Sequence, residues 1–201
     1  MAIKAQDVKK LREATGVGMM DCKKALVEAD GDFDKAVEIL RMKGQKVAAK
    51  RADREASEGA VVTATTADGS AGVIAEVNSE TDFVARNDEF VSFAQSIADA
   101  LLAARPADLE AARADVQVNG QSLGDALTQM TGKIGEKIDV RRFEVVEATD
   151  GGTVVDYIHP GAKLGVLVEM TGDGDLSAAG RDVAMQAAAM NPLAATRADV
   201  P

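Results

Sequence analysis

The sequence contains few of the residues from which chemical sites are usually built. Its 201 residues include one cysteine, one histidine, one tyrosine and no tryptophan. The lone cysteine, Cys22, excludes an intramolecular disulfide and is typical of a reducing cytoplasm. One cysteine and one histidine cannot form a standard zinc site. A serine–histidine–aspartate triad would have to use His159, and no nucleophile-elbow motif is present.

Long apolar segments are also absent. No run of about 18 apolar residues occurs, so we expect no membrane-spanning helix. The first residues, Met1–Asp7, lack the apolar centre of a secretion signal. We therefore expect a cytoplasmic protein with no membrane partner.

The charge is unevenly distributed along the chain. Residues 1–54 carry 13 basic and 9 acidic side chains, a balance of +4, whereas residues 55–201 carry 10 and 24, a balance of −14. The acidic bulk would be repelled by a phosphate backbone, which argues against a DNA or RNA partner. With no tryptophan and only Tyr157 as tyrosine, a base-stacking platform is not expected either.

The first part of the chain predicts a bundle of three short helices over residues 4–44. Gly16 is expected to end the first helix, Asp21 to cap the second, and Asp32 to cap the third, which stops at Gly44. Bundles of this size usually serve as recognition modules. The basic, alanine-rich segment 45–58 then predicts a solvated helix or a stiff linker.

Two neighbouring methionines stand out in this bundle. Met19 and Met20 are consecutive, so they lie on different faces and at most one can point squarely into so small a core. An exposed methionine is typical of an adaptable protein-binding surface. Packing of both side chains into gaps remains the alternative. The nearby Gly16-Val17-Gly18 follows no strand and does not complete a nucleotide-binding glycine motif.

From Gly59 the pattern changes to strands and longer helices. We predict strands at 60–66 and 72–77, a helix at 88–104, a Ser122-capped helix and a strand at Ile138–Val146. Phe83 lies in the polar connection between the second strand and the first of these helices. A large apolar ring there either packs back as a hydrophobic staple on the helix start or serves a functional role.

The chain also repeats itself at an offset of 93 residues. Residues 59–62, 72–77 and 90–97 align with 152–155, 165–170 and 183–190. The predicted fold class is therefore α+β, with a three-helix module and two related subdomains built on antiparallel sheets. In the second copy the Phe83 segment is replaced by Gly172–Leu176, so folding of the unit does not require it.

Three motifs in order resemble the elongation factor Ts family. They are Thr15–Leu26 (TGVGMMDCKKAL), Glu80–Asn87 (ETDFVARN) and Lys133–Ile138 (KIGEKI), and the likeness includes Tyr157-Ile158-His159. The resemblance extends over essentially the whole chain. It implies that the module at 1–44 has a ubiquitin-associated-type (UBA-like) fold, followed by a linker at 45–58, an α+β subdomain at 59–150 and another at 151–201.

The resemblance implies a guanine-nucleotide exchange factor for the GTPase elongation factor Tu, bound in its GDP and nucleotide-free forms. Such a factor acts by binding, is not an enzyme, and needs no cofactor or metal. The Asp82-Phe83 pair would enter the GTPase near the helices that order its switch region and disturb its magnesium site. The positions that match partner-binding residues of the family are Arg12, Met19, Met20, Lys23, Thr81, Asp82, Phe83, Val84, Ile134, Gly135 and His159.

Long members of the family continue into a helical hairpin used for dimerisation. We therefore expect this sequence to be a shortened version, with an incomplete subdomain at 151–201 and a homodimer possible only in the full-length protein. The second sheet is expected to lack a strand. Two other functions stay open at this point. One is a UBA-like adaptor or chaperone without exchange activity, and the other is an enzyme that uses scattered carboxylates.

Overall fold

The computed structural model describes residues 3–194 and 197–200 and has an α+β fold, as predicted. In the described part of the chain, no helix combines the length and apolarity needed to cross a membrane. The helices are α1 (Ala5–Thr15), α2 (Met19–Glu28), α3 (Phe33–Arg51), α4 (Asp82–Ala85), α5 (Asp88–Ala104), α6 (Leu109–Asp115), α7 (Leu123–Ile134) and α8 (Ser177–Met190). The strands are β1 (Glu58–Thr65), β2 (Ala71–Ser79), β3 (Gln117–Val118), β4 (Gln121–Ser122), β5 (Asp139–Glu147), β6 (Gly152–Ile158) and β7 (Gly165–Thr171).

Helices α1, α2 and α3 form a bundle with its own apolar core, as predicted. Gly16 ends α1 in the left-handed conformation at φ 65°, and the Asp32 carboxylate caps α3 by accepting from the Lys35 amide at 3.1 Å. The expectation that Asp21 caps α2 is wrong, because the helix begins at Met19 after Gly18. Asp21 lies in the first turn instead, where a carboxylate interacts favourably with the helix dipole.

The expectation that the third helix stops at Gly44 is also wrong. Helix α3 continues to Arg51, so the first half of the basic segment at 45–58 is a continuation of the helix. Gly44 lies where α3 crosses α7, opposite Gly132, and a Cβ on Gly132 would overlap the Cα of Gly44. The glycines allow the two helix backbones to touch. This crossing joins the three-helix bundle to the first α+β subdomain.

The first α+β subdomain is built on an antiparallel sheet in the order β1-β2-β5. Helix α5 packs across β1 and β2, and it is capped by Asn87, which accepts from the Glu89 amide at 2.8 Å. Ser122 and Asp125 form the predicted capping pair of α7, with the Asp125 amide donating to the Ser122 hydroxyl at 3.2 Å. The predicted elements of this subdomain are therefore confirmed. Helix α6 and the short β3–β4 pair fill the stretch between α5 and α7.

The two hairpins β1–β2 and β6–β7 meet through symmetric backbone hydrogen bonds. The amide of Val61 donates to the carbonyl of Ala162 at 2.7 Å, and the amide of Val154 donates to the carbonyl of Gly69 at 2.8 Å. Val154 and Ala162 are the residues 93 positions after Val61 and Gly69. The sequence repeat is therefore confirmed as a local two-fold relation between the hairpins.

Side-chain packing follows the same symmetry. A Cβ added to Gly72 would lie 2.7 Å from a methyl carbon of Val154, and a Cβ added to Gly165 would lie 2.7 Å from a methyl carbon of Val61. Gly165 is 93 residues after Gly72. Each hairpin thus places a valine against a glycine of the other, and neither glycine position has room for a side chain.

Within the part of the chain that the structure describes, the second subdomain has fewer strand pairings and a more exposed helix than the first. Among the described residues, β7 pairs with β6 alone, whereas its counterpart β2 pairs with both β1 and β5. On α8, Val183 and Met190 are 46% and 68% exposed, although their counterparts on α5, Phe90 and Ile97, are fully buried. The expectation that the second sheet lacks a strand is confirmed for the described residues.

We expect residues 151–194 to exchange their amide hydrogens faster than residues 59–147 in a dilute monomer. Among the residues that the structure describes, β7 has one unpaired edge, and less apolar surface is buried on α8 than on α5. Hydrogen exchange followed by mass spectrometry measures both regions in the same sample, so the first subdomain is the internal control. Equal protection of the two regions would contradict this expectation.

Replacing Gly132 by Ala is expected to destabilise the chain by about 1–3 kcal/mol, because the added methyl group forces α3 and α7 apart. Gly44→Ala is the matched control at the same crossing. Its Cβ would lie 3.6 Å from the Cα of Gly132, an ordinary contact. Because alanine favours a helix over glycine, this control should be neutral or stabilising by up to about 1 kcal/mol. Urea unfolding measures both variants, and equal effects would argue against a tight crossing.

Candidate protein-binding site

The Phe83 turn, residues 81–85, projects a large apolar ring into solvent. Phe83 lies on the four-residue helix α4 and its side chain is 84% exposed. A staple would be packed against the first turn of α5, so the exposure of the ring makes that interpretation wrong. Within the same turn, Ala85 is buried and Val84 packs against the main core. The turn is thus anchored by its second half and presents Phe83 outward.

Thr81 holds this turn in shape, because its backbone and side-chain polar groups all have partners. Its hydroxyl accepts from the amide of Val84 at 3.4 Å, which caps α4. Its carbonyl accepts from the hydroxyl of Ser79 at 3.0 Å and from the amide of Ala85 at 3.2 Å. Its own amide and hydroxyl donate hydrogen bonds to the two carboxylate oxygens of Glu136, with donor–acceptor distances of 3.0 and 2.8 Å.

The side chain of the preceding residue, Glu80, is also held by several hydrogen bonds. Its carboxylate accepts from the guanidinium of Arg51 at 2.8 and 3.0 Å and from the backbone amide of Lys137 at 2.7 Å. Arg51 is the last residue of α3, and Lys137 follows the end of α7. One carboxylate therefore ties the Phe83 turn to the three-helix bundle and to the α7–β5 connection.

The methionine pair lies in the first turn of α2. Met19 and Met20 are 55% and 63% exposed, so packing of both into the bundle core is excluded. Lys133, whose amine pairs with Glu89 at the start of α5, lies against the loop that precedes them. A Cβ on Gly16 would overlap this amine, so Lys133 packs directly against the end of α1. Burial lowers the pKa of Lys133 from its ordinary value.

The third motif lies at the end of α7. Gly135 ends the helix in the left-handed conformation at φ 83°, and its amide donates to the carbonyl of Thr131 at 2.8 Å. Ile134 is half-buried and packs against the main core. Because Lys133 contacts Gly16 and Glu136 contacts Thr81, this helix end brings the three sequence motifs together.

The remaining candidate residues are placed as follows. Arg12 and Lys23 are exposed on the three-helix bundle. Asp82 is half-exposed and pairs with Arg86 at 3.0 Å. His159 is exposed on the β6–β7 turn, where its Nδ1 lies 2.9 Å from the hydroxyl of Tyr157. That turn lies beside the start of β1.

Sequence reasoning missed the residues that position the site. Glu80, Glu136 and Lys133 lie inside the motifs, but their partners are 29 to 57 residues away in the chain. Charged residues in a sequence usually indicate a solvated surface, and no rule of sequence spacing links these three residues to partners so far away in the chain. Among residues 3–194 and 197–200, no group of three histidine, cysteine, aspartate or glutamate side chains is placed to hold a metal ion.

Comparison with known proteins identifies relatives over nearly the full chain. A family model described as elongation factor TS matches residues 80–201. The elongation factor Ts of Chloroherpeton thalassium is 50% identical over 206 residues, which cover 99% of this chain and 70% of the relative. That of Alkalilimnicola ehrlichii is 50% identical over 201 residues, covering 100% and 67%. That of Christiangramia forsetii is 52% identical over 193 residues, covering 96% and 68%.

Because its ring is exposed, Phe83 should contribute little to stability. We expect Phe83→Ala to unfold within about 0.5 kcal/mol of the wild-type chain. Phe90→Ala is the matched control, since Phe90 is fully buried and its truncation should cost about 3–5 kcal/mol. Thermal or urea unfolding gives both values. A large loss of stability in Phe83→Ala would restore the staple interpretation.

Proposed function

The chain belongs to the elongation factor Ts family, and from this premise we propose that it binds the GTPase elongation factor Tu and promotes release of GDP. The observation that carries the proposal is the exposure of Phe83 on a turn whose backbone is already fixed. The partner would be bound in both its GDP and nucleotide-free states. This activity belongs to translation elongation in the cytoplasm.

Phe83 has the properties required of a wedge. Inserting a side chain into a partner is favourable only if the gain in apolar contact exceeds the entropy lost on ordering. Here Thr81 and Glu136 have already ordered the turn, so little further entropy is lost on binding. Asp82 precedes the ring and would place a carboxylate near the magnesium and nucleotide of the GTPase.

Exchange of this kind needs no covalent chemistry. A factor that binds the nucleotide-free GTPase more tightly than the nucleotide-bound form must weaken nucleotide binding by the same factor. The protein therefore acts by binding rather than as an enzyme. Its partner-binding groups are an aromatic ring, two methionines and exposed charges, none of which has to act as acid, base or nucleophile.

The three-helix bundle would supply a second point of attachment. Met19 and Met20 offer flexible apolar contacts, Lys23 offers positive charge one turn further along α2, and Arg12 offers positive charge on α1. Ile134 and Gly135 would add to the interface, since they lie between Lys133, which packs against Gly16, and Glu136, which binds Thr81. His159 would extend the contact along the second subdomain. Docking of the bundle would then hold Phe83 against the GTPase.

Phe83→Ala is expected to lose most of the stimulation of GDP release. A central aromatic anchor contributes about 2–4 kcal/mol to an interface, which corresponds to roughly 30-fold or more in rate. The measurement is release of a fluorescent GDP analogue from elongation factor Tu. Leu193→Ala is the matched control, because Leu193 is also 84% exposed but belongs to none of the three motifs.

If the wild-type chain binds elongation factor Tu and leaves GDP release unchanged, the protein is an adaptor without exchange activity and the proposal fails. The proposal also fails if Phe83→Ala and Leu193→Ala stimulate release as well as the wild-type chain does.

Replacing both Met19 and Met20 by Ser is expected to weaken binding to elongation factor Tu, mainly through faster dissociation. The two side chains are exposed, so the unfolding transition should stay where it is in the wild type. Surface plasmon resonance gives the dissociation rate, and Met190→Ser, at a similarly exposed position on α8, is the control. An unchanged dissociation rate would remove the methionine pair from the interface.

A further inference from the structure

We infer that Glu136 is a positioning residue for nucleotide exchange, because its carboxylate keeps the Phe83 turn in the shape in which Phe83 can enter the partner. The inference rests on the exchange function proposed above and assigns a role to a residue that is not among the proposed partner-binding residues. Glu136 lies in the connection between α7 and β5, directly after Gly135. It acts on Phe83 through Thr81.

The connection is a continuous chain of hydrogen bonds. One oxygen of Glu136 accepts the amide proton of Thr81 at 3.0 Å, and the other accepts its hydroxyl proton at 2.8 Å. Because the hydroxyl proton is directed to Glu136, the lone pairs of the hydroxyl oxygen are available to the amide of Val84. The carboxylate therefore sets the orientation of the group that caps the helical turn bearing Phe83.

The turn depends on this cap because it has little stability of its own. Helix α4 has four residues, and a helix of that length is unstable without external contacts. Ala85 and Val84 anchor its inner side, but the position of Phe83 on the outer side is set by the start of the turn. Without the carboxylate, Thr81 would lose two charge-assisted bonds and the turn would sample other conformations.

Glu136 also connects two parts of the proposed interface. It follows Ile134 and Gly135 in the chain, so the same short connection carries both a partner-facing segment and the anchor of the wedge. In addition, Glu80, next to Thr81, accepts two hydrogen bonds from the guanidinium of Arg51 on α3. The Phe83 turn is thus fixed relative to α7 and to the three-helix bundle at the same time.

The test compares Glu136→Ala and Glu136→Gln in saturation measurements of GDP release from elongation factor Tu. Glu136→Ala should lower the maximal release rate roughly tenfold, as expected for loss of strong hydrogen bonds. The half-saturating concentration should stay within about twofold, because Met19 and Met20 still dock. Glu136→Gln should lie between, since its amide oxygen still accepts one bond. Glu144→Ala, an exposed glutamate on β5, is the control.

A second measurement does not depend on activity. In the free chain, the amides of residues 81–85 should exchange roughly tenfold faster in Glu136→Ala than in the wild type, with no change in Glu144→Ala. If Glu136→Ala fails to fold, Thr81→Ala replaces it, because this variant removes the hydroxyl and keeps the backbone amide. The Thr81→Ala variant should show the same fall in maximal rate.

The outcomes separate this inference from the proposed function. A wild-type chain that does not stimulate GDP release overturns both. An active wild type with an equally active Glu136→Ala, or with unchanged exchange at residues 81–85, overturns the positioning role alone. A rise in half-saturating concentration equal to the fall in rate, together with a lower melting temperature, would make Glu136 a structural residue and also overturn it.

Discussion

The direct contact between the backbones of α3 and α7 is the constraint on which the rest of the arrangement depends. It requires glycine at Gly132, where a methyl group has no space. Because the helices cross there, Arg51 at the end of α3 reaches Glu80 beside the Phe83 turn. The methionine surface of the bundle and the exposed Phe83 ring therefore belong to one packed body rather than to two modules on a flexible linker.

Rigidity and exposure are combined in the Phe83 turn in a way that is unusual for a loop. An exposed aromatic ring on a mobile loop would lose conformational freedom on binding, which offsets much of its contact energy. In this turn the conformational freedom is already lost on folding, because Thr81 donates to Glu136 and Arg51 donates to Glu80. The shape of this turn thus depends on half-buried polar partners around a ring that itself touches little.

Local signals were sufficient for much of the fold. Asp32 and Ser122 mark helix starts because capping depends on residues a few positions apart, and the repeat at 93 residues is visible in the sequence alone. The prediction of a helix end at Gly44 is wrong because glycine both ends helices and permits close contact, and the second role depends on Gly132, far along the chain. Glu136 was missed for the same reason, since its partner is 55 residues away.

The symmetric contact between the hairpins has a consequence for dissecting the chain. Cutting between residues 150 and 151 would separate the two copies of the repeat, but it would also leave the amide of Val61 and the carbonyl of Gly69 without their partners. The cut would also expose the two places where a valine of one hairpin packs on a glycine of the other, Val61 on Gly165 and Val154 on Gly72. The line between the copies therefore divides the sequence repeat but does not divide the chain into autonomous folding units, and fragments that end there should be expressed together.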